Sequence, residues 1–510
     1  MLTAEEAWRR LTDHREKYYR YSDAVYAGEK AQLQATGEPR SFWRRKGKCR
    51  IHVPIAADIC STASDLLFGE EPTIEVVDAR ENVVKDAQDR MEEIRRMNGF
   101  HATLCEAAES GAALGDCYLK CVWDADNATG PGIMLVQGDS GWPEYALGQL
   151  CAIHIFSVVD TEGGGRDVWR THEVYEPGRI TTELFRGSAE TLGERQELGI
   201  LLPDIEPVVE LPGREMLAVH IPNMRPNRRF RGTMLGRSDV EGLRGLMDAL
   251  DEAYSSWIRD IRLGKARQLI PAEYLRRTPE EIFGENPRGV PTFEFDEDVE
   301  TLAAIDADPE KVGGGAITSV QFDIRAEEHH KTCQNLIVQI VQAAGYAPQT
   351  FGIDIQGMAQ SGTALHIREK RSFSTTAKKQ AYWKDALERL LTAVCHLDAR
   401  LWPGAGSGAD THVHVRFADV LGTDLSEMSQ AMQLLWQAQA VSAETRVQML
   451  HPDWTAKQRA AEAARIREEY GVGKAQDVRD GAVPVTGEKD AGAKAGEGAA
   501  ERLQSSSATS

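Results

Sequence analysis

The stretch GIDIQGMAQSGTALHIREK, residues 352–370, comes nearest in the chain to a site with chemistry in its spacing. Gly357 and Gly362 stand with four residues between them and Thr363 follows, which nearly spells a phosphate-binding loop. Such a loop needs a lysine after the second glycine to reach the phosphates, and a buried strand ahead of it to aim the backbone. Here Thr363 takes the lysine's place and the preceding apolar pattern is helical, so the stretch is not a nucleotide site. His329, His330 and Cys333 sit close together, His329 and Cys333 at the i, i+4 spacing of metal ligands, but no second pair accompanies them. His412 and His414 alternate on a short apolar strand pattern and have no assigned partner, while Cys117 and Cys121 suit packing. No Ser/His/Asp, Cys/His or paired-carboxylate arrangement stands out, so the sequence predicts no catalytic residue, no metal and no cofactor.

Charge sorts the remaining candidates. The acidic run FEFDEDVETLAAIDADPE carries Glu294, Asp296, Glu297, Asp298, Glu300, Asp306 and Asp308. It lacks the alternating oxygens and central glycine of a calcium loop, and a solvated face explains it without a ligand. Two basic clusters, Arg44, Arg45, Lys46, Lys48 and Arg50, then Arg225, Arg228, Arg229 and Arg231, suit nucleic acid or an acidic neighbour, though a solvated surface needs neither. The net charge of −20 disfavours tight duplex binding by the whole surface, since that affinity comes from cations on phosphates. Local, transient DNA contact stays open. The eight cysteines are scattered without paired spacing, which points to a reducing cytoplasm. No run is apolar and long enough for a bilayer, and the charged N-terminus lacks a signal-peptide core.

Apolar periodicity supplies the elements that must position these residues. A helix is predicted over 1–30, another with Ile55, Ile59, Ala63, Leu66 and Leu67 on one face, a strand at 73–77, and a helix over 82–114. CYLKCVW, IMLVQ, LCAIHIF, VWRTHEVYE and RITTELFRG then read as strands separated by Gly, Pro and Asp. From Ser238 the pattern changes to a long helix, with Val240, Leu243, Met247, Leu250, Tyr254, Trp257 and Ile261 in a stripe and Ser238 and Asp239 as its N-cap. After an irregular acidic insertion, helix resumes at about 320 with Leu336, Ile337, Ile340, Val341 and Ala344 on one face. A helix over 363–402 carries Leu387, Leu390, Leu391, Val394, Leu397 and Leu401, and THVHVRF is a strand. Three compact helices close the ordered chain, with Ser442 and Thr455 as N-caps, and the polar tail 472–510 is expected to be disordered. The fold class is α+β.

The order of these blocks resembles the portal proteins of tailed double-stranded DNA bacteriophages, the siphophage-type head-to-tail connectors. The resemblance is carried by IHVPIAADICSTASDLLFGEEPTIEV, by GRSDVEGLRGLMDALDEAYSSW, by AGYAPQTFGIDIQGMAQSGTALHIREKRSFSTTAKKQAYWKDAL and by SAETRVQMLHPDWTAKQRAAEAARIREEYG. It implies an α/β wing at 1–237, stem helices at 238–270 and 320–345, and a small α/β clip at 271–319 inserted between them. A tunnel loop at 346–362, a long wing helix and closing strand at 363–423 and a helical crown at 424–471 complete the scheme. The tunnel loop would offer Gln349, Thr350, Gly352, Gln356, Gly357, Met358, Gln360, Ser361 and Gly362 to passing DNA. Its glycines flex and its uncharged polar groups form and break contacts at small cost. The acidic clip, repeated around a ring, would repel phosphate and keep the channel slippery. The resemblance further implies a ring of twelve subunits at one capsid vertex, a non-enzymatic conduit for DNA packaging and ejection. Its partners would be a terminase motor, scaffolding and major capsid proteins and head-completion proteins, in the virion and, during assembly, the host cytoplasm.

Overall fold

A computed structural model describes residues 2–15, 51–124, 129–162, 167–211, 213–264, 267–269, 318–320, 323–353, 362–408, 410–417, 425–438, 441–450, 454 and 456–469. The chain divides into two units, Met1–Leu421 and Gly422–Ser510. The architecture is α+β.

Helix α1 (Ala4–His14) starts from a reciprocal cap: the Glu6 amide donates to Thr3 Oγ1 and the Thr3 amide to the Glu6 carboxylate. Ala7, Trp8, Leu11 and His14, at helical spacing, form its buried face. Helix α2 (Ile55–Phe68) buries Ile55, Ile59, Ala63 and Leu67, and strand β1 (Thr73–Val77) follows. The helix predicted over 82–114 is in fact two, α3 (Lys85–Met97) and α4 (Phe100–Leu114). Gly99 between them takes φ 52°, a left-handed conformation that glycine adopts freely and that a helix cannot continue through.

Then come β2 (Asp116–Val122), β3 (Gly132–Gln137), β4 (Gly141–Ala146), β5 (Gln149–Glu162), β6 (Asp167–Glu176), β7 (Arg179–Gly187), β8 (Glu194–Gln196), β9 (Val208–Glu210) and β10 (Ala218–Pro222). They build an antiparallel sheet in the order β4-β5-β6-β7-β8, with β9 also on β7, and a smaller one in the order β10-β2-β3. Each strand named from the sequence pattern falls on one of these.

Helix α5 (Arg244–Leu263) begins six residues later than predicted, with Leu243 as N-cap and no side-chain cap. Ser238 and Asp239 do not cap it, because both side chains are buried and bonded elsewhere. Val240, Leu243, Met247 and Leu250 are buried, Tyr254 and Trp257 half-buried and Ile261 exposed, so the stripe leaves the core as the helix runs on. Strands β11 (Arg267–Leu269) and β12 (Thr318–Val320) pair into a short ribbon, and α6 (Ala326–Ala344) starts after it. Helices α5 and α6 pack side by side. Asp260 Oδ2 joins them, accepting from Arg325 Nη2 at 2.8 Å and His329 Nε2 at 2.9 Å.

The longest helix, α7 (Gly362–Leu401), buries Leu387, Leu390, Leu391, Val394 and Leu397 in one core with β1, β2, β10 and α3. A second core joins α1, α2, the start of α5 and α6. Strand β13 (His412–Arg416) returns to pair with β1. Among the described residues no further strand joins this two-stranded ribbon beyond a single bridge from Val83 to Val77, and helix side chains help to finish its edges. Gln88 of α3 accepts from Val76 N and donates to Ile74 O; Thr392 and Glu388 of α7 accept from Val413 N and Val415 N. A buried bidentate pair, Arg90 with Asp398, ties α3 to the far end of α7 at 2.8 and 3.0 Å. In the second unit are α8 (Leu425–Gln437), α9 (Ala443–Leu450) and α10 (Ala456–Glu469). Ser442 caps α9 through Thr445 N, as its sequence position predicts; Thr455 lies outside the described residues.

Buried histidines lead to the expectation that the first unit is acid-sensitive. His14 packs against Phe230 at 4.7 Å, and burial lowers its pKa to about 4. Burial likewise lowers His154 and His172, whose ring nitrogens lie 3.0 Å apart between β5 and β6. A histidine whose folded pKa lies below its unfolded value of about 6.5 stabilises the fold above that pH, and the contribution is lost as pH falls towards the folded value. For His14 this amounts to about 3 kcal/mol between about pH 6.5 and 4. Thermal melting from pH 7.5 to 4 should therefore show a falling midpoint, with a shallower fall in His14→Phe; an identical slope in that variant would contradict the assignment.

Candidate functional site

The base of the 346–362 stretch is where the molecule concentrates buried polar chemistry. Helix α6 ends at Gly345, which takes φ 105°, and Tyr346, Ala347 and Pro348 turn inwards and are buried. A 3₁₀ turn, Pro348–Phe351, follows, and Gly352 closes it at φ 71°. Two hydroxyls of α7 hold this turn. Ser372 Oγ accepts from Ala347 N and meets Thr350 Oγ1, each at 2.8 Å, and Thr375 Oγ1 donates to Gly345 O at 2.7 Å. Thr376 instead donates back along its own helix to Ser372 O at 3.1 Å.

Behind the turn lies a buried ion pair. Lys379 Nζ of α7 donates to Asp239 Oδ2 and, at 3.0 Å, to Tyr346 Oη. Tyr346 Oη donates to the same Asp239 oxygen at 2.7 Å, and Asn223 Nδ2 donates to the other at 2.8 Å. Lys379 and Tyr346 are each 1 % exposed, so water cannot replace any of these partners. Burial, then the Asp239 charge, pushes the Tyr346 hydroxyl well above its usual range and keeps it a donor. The Asp239 amide donates to Ala112 O, Ser238 Oγ donates to the same carbonyl, and Asn223 N reaches Gly115 O. Asp239 thus gathers, through its carboxylate, the end of α6 and the middle of α7 and, through its amide, the end of α4 at the segment leading into α5.

The residues predicted for the tunnel loop divide at this base. Gln349, Thr350 and Gly352 belong to the anchored turn, with Thr350 engaged by Ser372. Gly362 starts α7, and Gln356, Gly357, Met358, Gln360 and Ser361 lie outside the described residues. So do the acidic-run residues Glu294, Asp296, Glu297, Asp298, Glu300, Asp306 and Asp308 and the basic cluster at 44–50. The helix α6 ahead of the near phosphate loop is the element that the sequence pattern indicated.

The other candidates have structural partners. His329 stacks on Trp257 and bonds Asp260, Cys333 is buried, and His414 Nε2 meets Glu81 at 3.0 Å. Cys117 and Cys121 are buried in β2, where burial pushes the Cys121 thiol up to about 12. Among the described residues no group of three or more His, Cys, Asp or Glu is placed to hold a metal, and no helix is long and apolar enough to cross a membrane. Arg228, Arg229 and Arg231 are exposed, while Arg225 is half-buried against Met234.

Sequence reading missed Lys379 and Tyr346. A signal was present: Ser372, Thr376, Lys379, Trp383, Leu387 and Leu390 recur at helical spacing, which puts Lys379 on the face that is buried. Removing one partner of a buried pair strands the other charge, at a cost of about 3–5 kcal/mol. Lys379→Met should therefore lower the urea midpoint by that equivalent and raise amide exchange at 345–352. Ser372→Ala should raise exchange over the same turn with a smaller loss, about 1–3 kcal/mol. Unchanged exchange in both variants would show that these bonds do not hold the turn.

Comparison with known proteins gives one match across nearly the whole chain. The family described as "Phage portal protein, SPP1 Gp6-like" matches residues 9–471. Comparison with curated proteins found no match. Among solved structures, a chain from the neck of an empty gene transfer agent (GTA) particle, computed with C6 symmetry, is 14% identical. That alignment covers 81% of this chain and 96% of that one, at a TM-score of 0.39. A chain of the native gene transfer agent virion is 13% identical over 82% and 98%, at 0.37. With its family match running from the first helix to the last, the chain belongs to the SPP1 Gp6-like family of phage portal proteins, a structural family.

Proposed function

We propose that the chain is one of twelve subunits closing a portal ring at a single capsid vertex, the conduit for double-stranded DNA during packaging and ejection. The family match over residues 9–471 carries this reading. In it, residues 1–237 with 363–423 are the wing, 238–270 and 320–345 the stem, 271–319 the clip, 346–362 the tunnel loop and 424–471 the crown. The chain does no catalysis; ATP is hydrolysed by a separate terminase motor docked at the clip. Scaffolding and capsid proteins contact the wing, and head-completion proteins later replace the motor.

Physical features support the assignment. A ring subunit presents two different faces that meet head to tail and close on rotation, and side-by-side helices such as α5 and α6 supply extended faces of that kind. A loop that touches moving DNA needs fixed ends, and the anchored turn at 345–352 and the continuous helix α7 provide them. The acidic clip repels phosphate so that DNA is guided without being gripped. Single-particle imaging with native mass measurement tests the reading. Rings with a central channel and a narrow protruding end are the expected result, and they also count the subunits. A compact monomer that binds nucleotide, or a dimer without a channel at high salt and under crowding, would overturn it.

A further inference from the structure

Away from the loop, the end of α1 and the β2, β3, β5 and β6 strands border a half-open pocket of about 310 Å³. Arg15, Lys120 and Arg170 line it, with Trp8, Ser140 and Ser157. Among the described residues no Asp or Glu lines it, in a chain with 79 acidic and 59 basic residues. Lys120 is neutralised, because its ammonium bonds both oxygens of Glu173 at 2.8 and 2.9 Å. Neither arginine has a carboxylate partner among the described residues. Arg170 is only 5 % exposed, yet its Nη atoms reach nothing better than the Thr191 and Ala189 carbonyls at 3.4 and 3.3 Å. Arg15 donates from Nε and Nη2 to the Asp139 carbonyl. Both guanidinium carbons lie over the Trp8 ring, at 4.8 Å for Arg170 and 5.6 Å for Arg15. Burial, and then the charge of Arg15, lowers the Arg170 pKa, the mark of a cation without a counter-charge.

Buried charge is costly unless paired, and two like charges in one pocket add repulsion. The arrangement persists because Trp8 stacking and carbonyl bonds hold the arginines, and it leaves both planar guanidiniums lining the pocket. We infer that Arg15 and Arg170, over the Trp8 ring, form an oxyanion pocket for a phosphate or carboxylate group. A planar guanidinium matches either group with two parallel hydrogen bonds. The oxyanion is supplied as free inorganic phosphate or as an acidic side chain of a second copy of this chain, whose surplus of acid over base offers such groups.

The test is a titration of the purified full chain with inorganic phosphate at constant ionic strength, read by tryptophan fluorescence. Trp8→Phe assigns the signal among the ten tryptophans. A saturable change is expected in the wild type, lost in Trp8→Phe and weakened at least tenfold in Arg170→Gln, with Arg170→Lys intermediate. Thermal melting checks that each variant folds, and Arg15→Gln carries the test if Arg170→Gln does not. Wild-type responses in both glutamine variants, or an equal response to chloride, would overturn the pocket. The same titration on assembled and dissociated protein separates the sources. A response confined to the dissociated form, with phosphate slowing assembly, assigns the site to an acidic side chain of a second copy. Equal responses in both forms assign it to free phosphate. If no assembled form exists, the ring reading fails while the pocket is still judged by the first titration.

Discussion

The first unit is organised around one buried carboxylate. Asp239 and Lys379 can leave water only together, since either charge alone in that interior would cost several kcal/mol. Their pairing demands that α7, the segment entering α5 and the end of α6 arrive at one point, and Tyr346 and Asn223 take up the remaining lone pairs. Apolar packing would tolerate small slips among these elements. A shared oxygen with two donors does not, so the pair fixes register where the two cores meet.

The small sheets are completed by the same economy of polar groups. A two-stranded ribbon is marginal by itself because both its edges expose unpaired amides and carbonyls. Gln88 from α3 and Glu388 and Thr392 from α7 satisfy those edges, so the helices act as extra strands for β1 and β13. Arg90 and Asp398 then lock α3 to the far end of α7. Helix α7 is therefore held along its length by a hydroxyl row at 372–376, an ion pair at 379, an apolar stripe from 383 to 397 and a second ion pair at 398.

That frame suits a portal subunit. In the proposed reading, forces from DNA on the loop would pass into the turn at 345–352 and into α7, both tied to buried hydrogen-bonded groups.

The sequence by itself determined most of the element inventory. The stripe Leu387, Leu390, Leu391, Val394 and Leu397 comes from spacing alone, because burial of one face imposes its period on the residues, and Gly, Pro and Asp mark off the strands VWRTHEVYE and RITTELFRG. It also disposed of the phosphate loop, since Thr363 lacks the charge that such a loop requires. What tertiary structure decided was the use of polar residues. Ser238 and Asp239 carry the chemistry of an N-cap, and a local rule cannot know that Ala112, Tyr346 and Lys379 will claim them from up to 140 residues away. Gly99 looks like one tolerated glycine in a helix until the packing of α3 and α4 selects its left-handed conformation. The Arg15–Arg170 pocket is invisible in sequence for the same reason: periodicity reports which face is buried, while the partner of a buried charge is set by elements far apart along the chain.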